Sequence, residues 1–134
     1  MADVLIVDDE PGIRDAMARR LRGMGQRCEI VGDGRSALLK LCESTAAGRT
    51  FDAVILDLRM PDMDGWSVLR AIRANPLWED IRVIILSGRP STRNDLVRAV
   101  EHDAEFVEKT ANCHALVQDL IARYSMSGCS PAIT

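Results

Sequence analysis

The sequence predicts an α/β chain, a doubly wound five-stranded parallel sheet in the order 2-1-3-4-5. Three observations carry that prediction. Short apolar runs end near Val7, Val31, Leu56, Leu86 and Val107, 24, 25, 30 and 21 residues apart, and each interval has room for one helix and two short loops. The runs are apolar on both faces, as strands covered by helices on both sides must be. Carboxylate, hydroxyl and amine residues stand at the ends of runs one, three, four and five, and this strand order, one of the two common doubly wound orders, sets those ends side by side.

Val4-Leu5-Ile6-Val7 is the first strand, closed by Asp8-Asp9-Glu10-Pro11-Gly12. Ile13, Met17, Leu21 and Met24 then recur at helical spacing, and Gly23 and Gly25 supply the stop. Cys28 to Val31 is a weaker second strand, followed by Gly32-Asp33-Gly34 and a helix marked by Ala37, Leu38, Leu41 and Cys42. The third strand, Ala53 to Leu56, ends abruptly in Asp57. Trp66, Val68, Leu69 and Ile72 give the third helix, which Asn75-Pro76 ends because the residue before proline avoids helical dihedrals. Trp78 reads as a loop residue partly covering the sheet edge. Val83 to Leu86 is the fourth strand, and Ser91 or Thr92 caps a fourth helix expected to bury Leu96, Val97 and Val100. Phe106-Val107 is the core of the fifth strand, and Leu116, Val117, Leu120, Ile121 and Tyr124 share one face of the fifth helix.

The chain has 134 residues, 47% apolar and 28% charged, with a formal charge of −3. One domain over residues 1–124, with a flexible tail over 125–134, is the expected organisation. No basic stripe points to nucleic acid. No apolar run approaches the roughly 18 residues of a membrane span. Cys28, Cys42, Cys113 and Cys129 lack CxxC spacing, and with no basic leader before Val4 they read as reduced thiols in a cytoplasmic protein. No effector module is expected after the last helix.

A buried strand that delivers one carboxylate to its exposed tip holds a reactive oxygen in a fixed place. The predicted order brings Asp8, Asp9, Asp57, Ser87 and Lys109 into one crevice. Three carboxylates there repel one another, so neutralisation must come from Lys109 and a hard divalent cation such as Mg²⁺. The fitting chemistry is phosphoryl transfer to Asp57, with Lys109 and Mg²⁺ offsetting charge and Ser87 donating to the acyl phosphate.

Over residues 3–124 the chain resembles the receiver domain of two-component response regulators, a CheY-like family with the flavodoxin-like (βα)5 fold. The residues that carry the resemblance are Val7-Asp8-Asp9-Glu10, Leu56-Asp57 with Met60-Pro61 and Asp64-Gly65, Leu86-Ser87-Gly88, and Glu108-Lys109. The resemblance implies Asp57 as phospho-acceptor from a sensor histidine kinase or phosphotransfer protein. It implies Mg²⁺ held by Asp9, Asp57 and the Arg59 carbonyl, with Asp8 acting through water, and Ser87 and Phe106 as paired switch residues. Output is expected through protein contacts on the face of the fourth helix, fifth strand and fifth helix, around Arg93, Arg98, Glu101 and Gln118, with homodimerisation through the same face. No external turnover substrate is expected.

The sequence departs from the family pattern at five positions. Thr110 follows the lysine where proline, often in a cis peptide, is usual; a cis bond before a non-proline residue costs roughly 2.5–4 kcal/mol, so a trans bond or a rearranged loop is expected. Asp103 stands where glycine is common, which predicts an atypical turn into the fifth strand. Phe106 replaces a frequent tyrosine. Arg59 and Arg89 lie two residues beyond Asp57 and Ser87, where they are expected to border the phosphate and alter attack by water.

Blander readings compete. Asp8 or Asp9 alone suits a helix N-cap, Phe106 alone suits core, and His102 and His114 suit a surface. A flavin-binding domain shares the architecture, but the loop Asp8-Asp9-Glu10 repels a phosphate. A haloacid-dehalogenase-type phosphatase needs a second Asp where Arg59 stands. A phosphorylation-independent pseudo-receiver is the remaining alternative; the intact acidic set argues against it and Thr110 gives it some weight.

Overall fold

Every apolar run of the sequence becomes a strand in the computed structural model, which describes residues 2–60, 63–88, 90–110 and 113–127. The elements follow as β1 (Asp3–Val7), α1 (Pro11–Gly23), β2 (Arg27–Val31), α2 (Gly34–Ala46), β3 (Ala53–Asp57), α3 (Gly65–Ala74), a 3-10 turn (Pro76–Trp78), β4 (Arg82–Ser87), α4 (Arg93–Glu101), β5 (Ala104–Glu108) and α5 (Cys113–Ser127). The strands form one parallel sheet in the order β2-β1-β3-β4-β5. None of the described helices is long and apolar enough to cross a membrane.

Successive strand side chains point to opposite faces, which divides the core in two. Val4, Ile6, Ala53, Ile55, Ile84 and Leu86 pack against Met17 and Leu21 of α1 and Val117 and Ile121 of α5. Leu5, Val7, Val54, Leu56, Val83 and Ile85 pack against α2 and α3 through Ala37, Leu41, Val68, Leu69 and Ile72. Each fully buried Leu, Ile or Val contributes about 1.5–3 kcal/mol relative to exposure.

Local chemistry sets the helix starts. Asp33 and Asp64 accept the amides of Ser36 and Ser67, at 2.7 and 2.9 Å. Thr92 and Asp95 close a reciprocal capping box at the head of α4, so Thr92 and not Ser91 is the cap. Pro11 opens α1, where its missing N–H costs nothing.

Several expectations are corrected. Leu96, Val97 and Val100 are 47%, 47% and 79% exposed, and Ala99 is the buried residue of α4. That helix flanks the edge strand β5 and turns a small residue inward, which leaves its apolar stripe in solvent. Leu116 of α5 and Cys42 of α2 are also exposed, and Met24 lies past the end of α1 as its C-cap. Trp78 is not a loop residue at the sheet edge: it is 5% exposed, and its indole N–H donates to Thr45 Oγ1 at 2.9 Å. Helix α5 runs through Ser127, three residues into the expected tail, and residues 128–134 lie outside the described ones.

The turn before β5 is atypical, as Asp103 predicts. Its φ of +52° is in the left-handed region, and Arg73 closes the turn by donating to the carbonyls of His102 (2.8 Å) and Asp103 (3.1 Å). The bond joining Lys109 to Thr110 is trans, and the Thr110 amide donates to the Glu108 carbonyl at 2.9 Å.

Candidate functional site

Five parallel strands present their carboxyl ends on one edge, and the chemistry-bearing residues gather there. Asp8 follows β1, Asp57 ends β3 and Ser87 ends β4; they are 2%, 4% and 6% exposed. Lys109 follows β5, its amide donating to the Ser87 carbonyl at 2.7 Å. Asp9 is exposed at the mouth. All five residues that the sequence nominates therefore share one crevice.

The two buried carboxylates are held in the same way. Asp8 Oδ1 accepts the amide of Glu10 at 2.9 Å, and Asp57 Oδ1 accepts the amide of Arg59 at 3.2 Å. Each is an Asx turn onto the residue two positions on. The second oxygens, Asp8 Oδ2 and Asp57 Oδ2, both lie 3.3 Å from Lys109 Nζ. Neither aspartate caps α1: its N-cap is Glu10, with no side-chain cap bond.

Electrostatics follows from that sharing. The Asp57 carboxyl is pushed above its ordinary value, first by burial and then by the charge of Asp8; the Arg59 amide and Lys109 only partly offset this. Burial works to lower the Lys109 pKa, but the Asp8 and Asp57 carboxylates outweigh it and the net displacement is upward. The amine is therefore charged at neutral pH. Asp8, Asp9 and Asp57 each offer one oxygen, and these atoms lie within 4.8 Å of one another, a group that could hold a metal ion.

Some contributions are not apparent in the sequence. Glu10 brings a further carboxylate to 3.7 Å from Lys109 Nζ; the run Asp8-Asp9-Glu10 was its only signal. Gly65 is needed sterically, since a Cβ there would lie 2.7 Å from the Asp57 carbonyl oxygen and 2.8 Å from Leu58 Cα. Its amide donates to the Leu58 carbonyl at 3.0 Å, pinning the head of α3 against the tip of β3. Glu108 Oε2 accepts the Ser91 amide at 3.0 Å and ties the segment after β4 to β5. Arg59 is exposed and lines the cleft beside Ser87. Arg89 and Pro61 lie outside the described residues. Phe106 is half-buried on β5.

Comparison with known proteins gives one consistent picture. The response regulator receiver domain family matches residues 4–121. Sensory transduction protein RegX3 of Mycolicibacterium smegmatis is 34% identical over 117 residues, 87% of this chain and 48% of that protein. DNA-binding response regulator MtrA of the same organism is 32% identical over 130 residues, 96% of this chain and 53% of that protein. The chain thus spans about half the length of these curated relatives. Among solved structures, response regulator TrrA of Thermotoga maritima, in complex with Mg²⁺ and beryllium fluoride, superposes with a TM-score of 0.75 at 29% identity, covering 92% of this chain and 99% of TrrA.

Proposed function

The chain belongs to the response regulator receiver domain family of two-component systems, and from that premise we propose that Asp57 is the phospho-acceptor and that its phosphorylation switches protein contacts. The observation that carries this reading is the convergence of Asp57, Asp8 and Lys109, with one amine 3.3 Å from an oxygen of each acid.

In the proposed reaction an Asp57 carboxylate oxygen attacks the phosphorus of a phosphohistidine on a sensor histidine kinase or phosphotransfer protein. An O–P bond forms, the P–N bond breaks, and the imidazole leaves opposite the incoming oxygen. Lys109 lies against the carboxylate and offsets charge on the transferred oxygens. The Ser87 hydroxyl donates to the phosphoryl group once it is attached, and Phe106 follows by changing rotamer.

The donor set suits Mg²⁺. Three carboxylate oxygens within 4.8 Å, two of them on buried residues, outnumber the single nearby amine, and a hard cation favours oxygen ligands. Asp9, Asp57 and the Arg59 carbonyl would hold it, with Asp8 through water. When bound, the ion supplies positive charge that neutralises the crowded oxygens.

The chain assists its own phosphorylation and the hydrolysis that reverses it, and has no external turnover substrate. Arg59 borders the phosphate and alters its attack by water. The exposed Leu96, Val97 and Val100 of α4 support the α4–β5–α5 face as the docking surface for a downstream protein, or for a second copy of the chain. We place the domain in the cytoplasm. The test is phosphotransfer: a small acyl phosphate with Mg²⁺ adds one phosphoryl mass to the wild type. Retention of that mass gain in Asp57→Asn, or an equal yield in excess chelator, would overturn the proposal.

A further inference from the structure

Three flat side chains from three elements stack at the edge of the cleft that Ser87 and Arg59 line. The guanidinium carbon of Arg98, on α4, lies 5.3 Å from the centroid of the Trp66 ring. Trp66, the second residue of α3, stacks on Phe106 of β5, with centroids 6.4 Å apart and planes 24° from parallel. Ring pairs at this separation attract beyond the area they bury, and indole is the best ring partner for a guanidinium. The same two residues, Trp66 and Arg98, line a cleft of about 690 Å³ with Ser87, Arg59, Met60 and Asp95. Phe106 is not among the described residues lining that cleft and remains partly exposed. The stack therefore adjoins both members of the proposed switch pair: Ser87 lines the cleft with Trp66 and Arg98, while Phe106 stacks on Trp66.

We propose that Trp66, clamped by Arg98, is a latch on the Phe106 switch, and that its strength sets how readily this domain adopts the switched arrangement. The inference rests on the receiver reading, in which Phe106 follows Ser87 towards the phosphoryl group. A change of Phe106 rotamer breaks the stack it makes on Trp66 here. The stacking is lost in the switched arrangement, and its free energy counts against that arrangement. A ligand that needs a fractionally populated conformation binds with its affinity reduced by that fraction. Weakening the latch therefore tightens binding of a phosphoryl mimic, although neither Trp66 nor Arg98 takes part in the proposed chemistry. The coupling also has a direction in space, because Arg98 belongs to the helix whose outer face carries Leu96, Val97 and Val100. Arg98 over Trp66 links α4 to α3, and the stack of Trp66 on Phe106 extends that link to β5.

The test is calorimetric titration of beryllium fluoride, a stable mimic of the aspartyl phosphate, in saturating Mg²⁺. The proteins are wild type, Trp66→Leu, Trp66→Phe and Arg98→Met, with Trp66→Leu repeated in a Phe106→Leu background. Trp66→Leu should bind roughly three- to tenfold tighter than wild type. Arg98→Met, a surface change that leaves the core intact, should shift affinity the same way by a smaller factor. Trp66→Phe should restore affinity towards wild type, and Trp66→Leu should add nothing once Phe106 is already leucine. Equal or weaker binding by both Trp66→Leu and Arg98→Met, or an undiminished Trp66→Leu effect in the Phe106→Leu background, would overturn the latch alone. A wild type that binds no beryllium fluoride would overturn the acceptor reading, and the latch with it.

Discussion

Lys109 Nζ stands 3.3 Å from Asp57 Oδ2, and at the same distance from Asp8 Oδ2. One amine thus serves two buried carboxylates whose other oxygens are already engaged by backbone amides. The site is over-supplied with negative charge by construction. That surplus gives it both affinity for a cation and a cost when no cation is bound.

Removing the amine should be severe. Lys109→Met keeps the length of the side chain but leaves Asp8 and Asp57 buried against each other without a counter-charge. Breaking a buried ion pair from one side costs about 3–5 kcal/mol. Chemical denaturation should register a loss of that order in metal-free protein, together with loss of acyl-phosphate-driven phosphorylation. An unchanged denaturation midpoint would contradict the geometry.

Removing one acid should do the opposite. The folded protein raises the Asp57 pKa above its ordinary 3.8, so the folded state holds the proton more tightly than the unfolded state does. Ionisation of Asp57 counts against the fold. That penalty is fully present above the folded pKa and fades as pH falls through it towards 3.8. Metal-free Asp57→Asn should therefore be more stable than wild type at neutral pH, and the advantage should shrink on mild acidification. Thermal melts of the two proteins across pH check both the sign and the trend.

Two glycine substitutions form a matched pair. Gly65→Ala places a methyl 2.7 Å from the Asp57 carbonyl oxygen and 2.8 Å from Leu58 Cα, both backbone atoms that cannot swing aside. It should cost about 1–3 kcal/mol and slow phosphorylation by displacing the acceptor. Gly23→Ala, with nothing within 4 Å of the added methyl, should be neutral or stabilising by up to about 1 kcal/mol. Equal effects at the two positions would remove the steric account of Gly65.

Arg59 is exposed beside the acceptor and lines the cleft next to Ser87. Arg59→Ala should change the lifetime of the aspartyl phosphate about twofold or more while leaving stability within about 0.5 kcal/mol. Following the decay of the phosphorylated mass with time measures this, and an unaltered lifetime discards the role.

The sheet was legible because each strand announces itself as a run apolar on both faces, and the spacing between runs leaves room for one helix each. The site was legible for a related reason: in such a sheet the residue after each run lies on one common edge, which brings Asp8, Asp57, Ser87 and Lys109 together. Periodicity failed on α4. It identifies Leu96, Val97 and Val100 as one face but cannot say what covers that face, and here solvent does. Trp78 was misread because its burial depends on a distant partner, Thr45 on α2. The clearance at Gly65, the reach of Glu10 and the stack joining Arg98, Trp66 and Phe106 arise where separate elements approach within a few ångströms. Local sequence patterns carry no such distances.

The central claim is that Asp57 itself becomes covalently phosphorylated. Exposure to acyl phosphate and Mg²⁺, followed by borohydride reduction and peptide mass mapping, tests it most directly, because reduction of an aspartyl phosphate leaves homoserine at the modified position. The account predicts homoserine at residue 57 and nowhere else in the chain. Homoserine at Asp8 or Asp9, or an Asp57 peptide of unchanged mass in a protein that gained phosphate, would contradict it.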